Sequence, residues 1–401
     1  MKQLVLFSLV FVSLFFVSLF LSVPAAAGGP RSPIAELTAS DGKVGSGLGE
    51  SVAISDGTVF AGVLQLGKGA SIYVFERPAS GWGDMTQTAE LTIPHFHFFF
   101  NALAASGDTV VAGVEGTGPN GYGTLYVFEK PAGGWKNMTP TAVLSPTFGT
   151  RFGNDVAIAG DTIVAGDPRC GGNGDFGPGT AFVFQKPADG WHDTHETAVL
   201  SASDSQGCDD YGISVGASGD TVVVGADLEG MSPPPSPGEV YVFEKPAGGW
   251  TNMTETAELN LLEGFPGDGV GGNLAIGGNT VVSSMNNQEG QPRILVFEKP
   301  AGGWTNGTQT ATLLQTAGGP LAVNPQGTAV AVDGDAAGIV KVYEEPASGW
   351  QNTSTATYRF SRSPGDLLGI GALGMAWLAA GAPGTTVDGH AMQGAVFLFF
   401  K

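Results

Sequence analysis

The chain has 401 residues, 64 of them glycine, with 13% charged side chains and a formal charge of −20. That charge opposes nucleic-acid backbones and anionic lipid surfaces and excludes both as partners, while the scarcity of lysine and arginine suits an exported protein. Recurrent blocks of Val, Phe, Leu and Ala exclude a disordered chain, and the length suffices for two ordinary domains or one large repetitive one.

In chain order, Lys2 is followed by the apolar run "LVLFSLVFVSLFFVSLFLSV" (4–23), then Pro24 and "AAA" (25–27). A charged start, a hydrophobic middle and a small-residue cleavage site define a secretory signal peptide over 1–27. The run is long enough to cross a bilayer, so its retention as an anchor is the alternative. No second run of that length follows, and no cysteine stands behind it to accept a lipid.

From residue 28 onward the chain is repetitive. A motif ending in Pro-Ala-x-Gly-Trp places Trp at 82, 135, 191, 250, 304 and 350, a period that fits a four-stranded propeller blade. Each unit reads as strands A to D. Strand A is typified by "SVAIS" (51–55) and "DVAIA" (155–159), followed by a Gly-Asp or Gly-Asn turn at 107–108, 160–161, 219–220 and 278–279. Strand B, as in "TVVVGA" (221–226), is apolar throughout and therefore buried on both faces. Strand C is "VYVFEK" (240–245). Strand D is "TAELT" (88–92), whose alternation leaves one face wet and marks it as the outer edge.

The ends complete the pattern. "PIAELTASDG" (33–42) is a D strand with no A, B or C before it, and "GAVFLFFK" (394–401) is a C strand with no D after it. Seven strands of each type result, so the N-terminal strand closes the last blade and removes an open sheet edge. The expected fold is an all-β, seven-bladed propeller over 28–401, closed by pairing of its terminal strands.

The stretches "RFGNDVAIAGDTIVAGDP" (151–168) and "DYGISVGASGDTVVVGAD" (210–227) resemble FG-GAP repeats, which form the seven-bladed propeller of integrin α-chains; the bacterial-type variant is the nearer pattern. The resemblance extends over 34–401, with blades two to five clear and blades six and seven degenerate. It implies an interaction module. The D-x-D-x-D-G calcium loop of many such repeats is replaced by a two-residue turn with no room for several oxygen ligands, so that calcium site is not carried over.

No linear motif announces catalysis. "GISVG" (212–216) matches G-x-S-x-G, but Ser214 falls in a strand A and lacks the strand–turn–helix of a nucleophile elbow. The repeated Trp residues read as covers of the C–D turn packed toward a neighbouring blade. His95 and His97 lie two apart beside four phenylalanines and read as interblade packing; His192 and His195 read as solvated. The sequons at Asn137, Asn252, Asn306 and Asn352 recur because the template is W-x-N-x-T.

The variable segments are loops of one face. "GDPRCGGNGDFGPG" (166–179) and "ADLEGMSPPPSPG" (226–238) are B–C loops, and "SDSQGCDDYG" (203–212) is a D–A loop. Cys170 and Cys208 would sit on that face at adjacent blades, which suits a disulfide in an oxidising compartment. Asp167, Asp175, Asp204, Asp209 and Asp210 lie in the same loops; they read as a solvated acidic rim, with one calcium ion as the lesser alternative and no other cofactor. The expected function is a secreted or cell-surface, non-catalytic binding or adhesion module. It would offer its B–C/D–A face to an extracellular protein or glycan. The alternatives are a hydrolase or lyase with carboxylates converging on the central channel, and a structural surface or matrix protein.

Overall fold

The computed structural model describes residues 31–400 apart from 66–68, 94–101, 119–120, 169, 172–174, 205–206, 228–236, 263, 266, 287–291, 315–318, 336–337 and 363–365. The leader expected over 1–27, and His95 and His97, therefore lie outside the described residues.

Seven antiparallel sheets surround one axis, each hydrogen-bonded in the order A-B-C-D. Blade 1 comprises Val52–Ser55, Thr58–Gln65, Gly69–Glu76 and Ala89–Thr92. Blade 3 comprises Val156–Ala159, Thr162–Asp167, Thr180–Gln185 and Ala198–Ser201; blade 4 comprises Ser214–Ser218, Thr221–Ala226, Glu239–Glu244 and Ala257–Asn260. Blades 2, 5 and 6 open with strands A at Ala102–Ser106, Leu274–Gly277 and Leu321–Val323. Blade 7 takes Gly369–Leu373, Trp377–Ala382 and Ala395–Phe400 from the chain's end and Ala35–Thr38 from its beginning. The two ends pair antiparallel, Ala35 opposite Leu398 and Leu37 opposite Val396. Each strand A packs against the next around the ring, and that of blade 7 packs against that of blade 1. The wheel is closed.

The sequence patterns have their expected physical roles. Strands B of blades 2, 3 and 4 are buried along their whole length. In strand D of blade 1, Ala89 and Leu91 are buried while Thr92 is exposed. The Gly-Asp links carry positive φ on the glycine alone, 55° at Gly107 and 54° at Gly160, as a type II′ hairpin requires. The hydrophobic clusters form between blades rather than within them: one joins Phe60 and Ile72 of blade 1 to Val110 and Phe128 of blade 2.

Two devices hold neighbouring blades together. Near the hub, a glycine of the D–A connections entering blades 1, 3, 4 and 5 wedges against a glycine in strand B of the preceding blade. A Cβ added at Gly166 would lie 1.9 Å from the carbonyl oxygen of Gly212, and one at Gly225 would lie 2.0 Å from that of Gly271. The same approach recurs at Gly381 against Gly49 across the closing seam. These are the glycines that give the repeated "FG…GA" string its spacing.

At the circumference, the W-x-N-x-T segment is a strap rather than a turn. It adds a short parallel strand to strand D of the preceding blade, as in Leu37 opposite Met85 and Leu200 opposite Met253, or a single bridge, as in Leu91 opposite Met138. The asparagine side chain at the centre accepts a backbone N–H of that strand: Glu90 N donates to Asn137 Oδ1 at 2.9 Å, Val199 N to Asn252 at 2.9 Å and Glu258 N to Asn306 at 3.0 Å. Asp84 and Asp193 do the same for Glu36 and Val143. Three residues on, Glu255 grips Ser203 through its backbone N–H and its hydroxyl. Strand D is the outer strand of its blade, as its alternation predicts, and the strap covers its edge. At the blade 6–7 seam, which has no such strap, Arg31 bridges Phe360 and stacks 4.0 Å over the Tyr358 ring.

The Phe-Glu-Lys end of strand C adds an ionic ladder between blades, Lys130 to Glu76 at 3.0 Å and Lys186 to Glu129 at 2.6 Å, with Lys299 paired to Glu244. At the next step Glu345 stands where lysine would be, and it adds to the burial that raises the pKa of Glu298.

Candidate functional site

Two places on a propeller can host chemistry, the axial channel and the loop faces. The channel is a cavity of about 720 Å³ lined by strands A and the A–B turns, with Leu103, Ala105, Ile158, Ile276 and Trp377 on its wall. Asp56 is the one carboxylate among its lining residues, which include no Lys, Arg, His or Tyr. The wall therefore mixes apolar side chains with the hydroxyls of Ser55, Ser106 and Ser218, with one carboxylate beside them. Ser214 is buried in strand A of blade 4, where its hydroxyl donates to the Gly271 carbonyl at 2.5 Å.

The Trp side chains serve architecture. Trp135, Trp191, Trp250, Trp304 and Trp350 are buried. Trp135 meets Phe60 of the preceding blade edge-on at 5.2 Å, and Trp250 Nε1 donates to Thr162 of blade 3 at 3.3 Å. His192 is exposed, and exposed His195 places Nδ1 2.9 Å from the Ser145 carbonyl.

The acidic loop residues separate into two groups. Asp167 is fully buried at the end of strand B of blade 3, and its Oδ1 accepts the backbone N–H groups of Thr150 at 3.1 Å and Arg151 at 2.6 Å. It organises the D–A loop leading into its own blade. Asp209 and Asp210, like Asp167, are buried, which corrects their reading as a solvated rim, while Asp204 is exposed. Asp204, Asp209 and Asp210 belong to the next D–A loop, beside strand C of blade 4. There the Tyr241 hydroxyl lies 3.0 Å from both Asp204 Oδ1 and Glu239 Oε2. One phenolic proton thus serves two carboxylates. Burial raises the Glu239 pKa to about 7, with Asp204, Glu258 and Asp209 adding to the rise against the Tyr241 hydrogen bond. Burial likewise raises Asp227 to about 6, with Asp210 adding to it. Asp175 lies on a small hairpin, Cys170–Gly171 with Asp175–Phe176, inside the B–C loop of blade 3. Among the described residues, no group of three or more His, Cys, Asp or Glu side chains is placed to hold a metal ion.

Sequence reasoning missed Glu239 and Asp227 as members of this cluster, because both sit at strand ends where apolar pattern dominates. It also missed Asp155, whose carboxylate accepts Val156 N at 2.9 Å and reaches across to Val215 N of blade 4 at 2.8 Å. Its pKa is raised to about 6 by burial against those two hydrogen bonds. Cys208, with φ +68°, is disulfide-bonded, and its N–H donates to the Gly177 carbonyl of the B–C loop at 3.3 Å. Cys170, the other cysteine of the sequence, stands on the hairpin of that same loop.

The architecture defines a seven-bladed β-propeller. Residues 194–243 match the FG-GAP repeat family, in agreement with the resemblance carried by the repeated strings. The chain is similar in fold to the WD40 β-propeller domain of Doa1, at 10% identity and a TM-score of 0.52, over 92% of this chain and 96% of that one. Hsv2 of Kluyveromyces marxianus aligns at 10% identity and a TM-score of 0.45, over 75% of this chain and 81% of that one. No curated protein matches the sequence. No helix among the described residues is long and apolar enough to cross a membrane.

Proposed function

We propose that the chain is an extracellular, non-catalytic binding or adhesion module that presents its B–C/D–A face to a protein or glycan. One observation carries this reading. Of the ten large hydrophobic side chains exposed among the described residues, six stand on B–C or D–A connections: Val44, Phe148, Leu262, Phe265, Leu367 and Met392. Leu367 and Met392 also hold left-handed backbone, φ 54° and 53°. That conformation costs about 1–2 kcal/mol for a residue with a Cβ, and such strain concentrates where a surface is used. Phe148 alone of the six also meets a core ring, Phe182 at 5.0 Å. The FG-GAP match adds an analogy with interaction modules, which by itself does not set function. The channel wall supports a reading without glycosidic chemistry, since it offers one carboxylate where that chemistry uses two.

On this reading Cys208 pairs with Cys170, tying a B–C loop to the following D–A loop; peptide mapping without reductant detects the linked fragment. The function is tested by exposing the mature protein to an array of extracellular proteins and glycans, with calcium and with chelator. Binding that Leu367→Ser or Phe148→Ser abolishes supports the face. Silence in both conditions, with turnover of a generic ester or glycoside, overturns it.

A further inference from the structure

We propose that the mouth of the axial channel between blades 7 and 1, on the A–B/C–D side, binds a small organic monoanion with an aliphatic body. Its carboxylate meets Arg77 and its chain follows the channel wall past Met375. The site lies on the opposite side of the wheel from the B–C/D–A face and stands independently of that face.

One seam departs from the repeat at several points together. At the start of strand B, Thr58, Thr109, Thr221 and Thr280 stand opposite the glutamates that end strand C, namely Glu76, Glu129, Glu244 and Glu298. In blade 7 the same pair is Trp377 opposite Phe400. Phe400 is 57% exposed, and Met375 on the adjoining A–B link is 56% exposed. Trp82 of blade 1 meets Trp377 edge-on at 6.0 Å and is half-buried, whereas the other five tryptophans of the straps are buried.

The cation at this seam has lost its carboxylate. Lys130, Lys186 and Lys299 each pair with the strand C glutamate of the preceding blade, and Lys245 pairs with Asp220. Arg77 holds the equivalent place in blade 1, but there Phe400 stands in place of the glutamate. Its guanidinium lies 4.3 Å over the Trp377 ring and makes no ion pair among the described residues. Arginine suits that position better than lysine. A planar guanidinium stacks on an aromatic face and still offers a carboxylate two parallel N–H bonds.

Arg77 N donates to the Gly57 carbonyl at 3.0 Å, and Gly57, Met375 and Trp377 all line the channel cavity. The unpaired guanidinium therefore stands at the rim of a cavity of about 720 Å³, a volume usual for small-ligand sites. Ile54, Leu103, Ile158 and Leu373 on the wall offer aliphatic contact deeper in. Asp56 shares the mouth, and the chain as a whole carries −20, which disfavours a multiply charged anion. A single carboxylate on an apolar chain meets the guanidinium and covers exposed apolar surface in one step.

The test is calorimetry of the full chain with sodium octanoate, 1-octanol and sodium acetate, with tryptophan fluorescence as a second readout. Octanoate is expected to bind saturably, octanol at least fivefold more weakly, and acetate without saturation. Arg77→Gln should reduce octanoate to the level of octanol and leave octanol unchanged, a pattern that a disturbed fold does not produce. Phe400→Glu restores the missing rung, engages Arg77, and should weaken octanoate at least fivefold without lowering the melting temperature. Met375→Ser should weaken octanoate and octanol together. Octanoate bound no more tightly than octanol, binding indifferent to any one of the three variants, or no saturable binding overturns the site.

Discussion

Gly166→Ala isolates the contact between blades from backbone strain. Gly166 is not left-handed, yet its Cβ would lie 1.9 Å from the Gly212 oxygen and 2.9 Å from the Gly212 carbon. Relief requires the D–A connection of blade 4 to retreat by more than 1 Å, an order-of-magnitude figure set by ordinary carbon–oxygen contact distances. That retreat strains the bond from Gly212 N to the Gly225 carbonyl, now 2.9 Å. Overpacking costs about 1–3 kcal/mol and a weakened hydrogen bond about 1 kcal/mol, so the variant should lose roughly 3 kcal/mol, a large share of a domain's usual ~5–15 kcal/mol. Gly160→Ala is the control. Gly160 has φ +54° and open space around its would-be Cβ, so the cost there is strain alone, about 1 kcal/mol. Urea denaturation followed by tryptophan fluorescence should place the Gly166→Ala midpoint well below that of Gly160→Ala, with wild type above both. The wedge argument fails if Gly166→Ala unfolds at the wild-type midpoint, or if Gly160→Ala is the worse of the two.

Asn252→Ala removes the acceptor for Val199 N and should lower stability by about 1 kcal/mol, whereas Asn252→Asp keeps the oxygen and should stay within a few tenths, read as melting temperature. Glu345→Lys restores the missing rung beside Glu298 and should raise stability by up to about 1 kcal/mol, an effect that 0.5 M salt reduces. Asp155 and Asp227 are raised from 3.8 to about 6, and Glu239 from 4.5 to about 7, so the folded state binds protons more tightly than the unfolded chain. Their contribution to stability is full below the unfolded values and lost as pH rises through about 6 to 7. The melting temperature should therefore climb as pH falls from about 8 to about 5, and Glu239→Gln should flatten the upper part of that rise; a steady decline over the same range contradicts the assignment.

Blade count, strand order and the closing pair were legible because each leaves a local trace: the Gly-Asp turns, the continuous apolar run of strand B, and an orphan D strand at 35–38 facing an orphan C strand at the end. The strap was not legible. Its partner lies in the preceding blade, about fifty residues away in the chain, and no sequence period marks a parallel strand of two residues. The signal was nevertheless present. Blades 1 and 3 carry Asp84 and Asp193 where the others carry Asn137, Asn252, Asn306 and Asn352, which breaks the sequon but keeps a side-chain oxygen at the same point. What the template preserves is an acceptor for a neighbour's N–H. The acidic cluster was half legible: Asp204, Asp209 and Asp210 stand out in a loop, while Glu239 reads as the edge of a strand and joins them only because Tyr241 projects between the two.

The two fastening devices explain why variation collects on one face. The hub glycines and the circumferential straps set the spacing between blades through backbone approach and side-chain oxygens, and neither uses the tips of the B–C and D–A connections. At Gly179 the connection returns to the sheet against Tyr211 of the next loop, again through backbone contact. Everything between such fixed points is free to change in length and chemistry without altering how blades meet. The converse holds on the opposite side, where the A–B links of blades 1 to 5 are two residues and the strap must reach its neighbour in register. A change there is read by two blades at once, which is why the degenerate blade 6 departs from the template in its loops and strands yet keeps Trp350 buried and Asn352 hydrogen-bonded to Thr312 N at 2.8 Å.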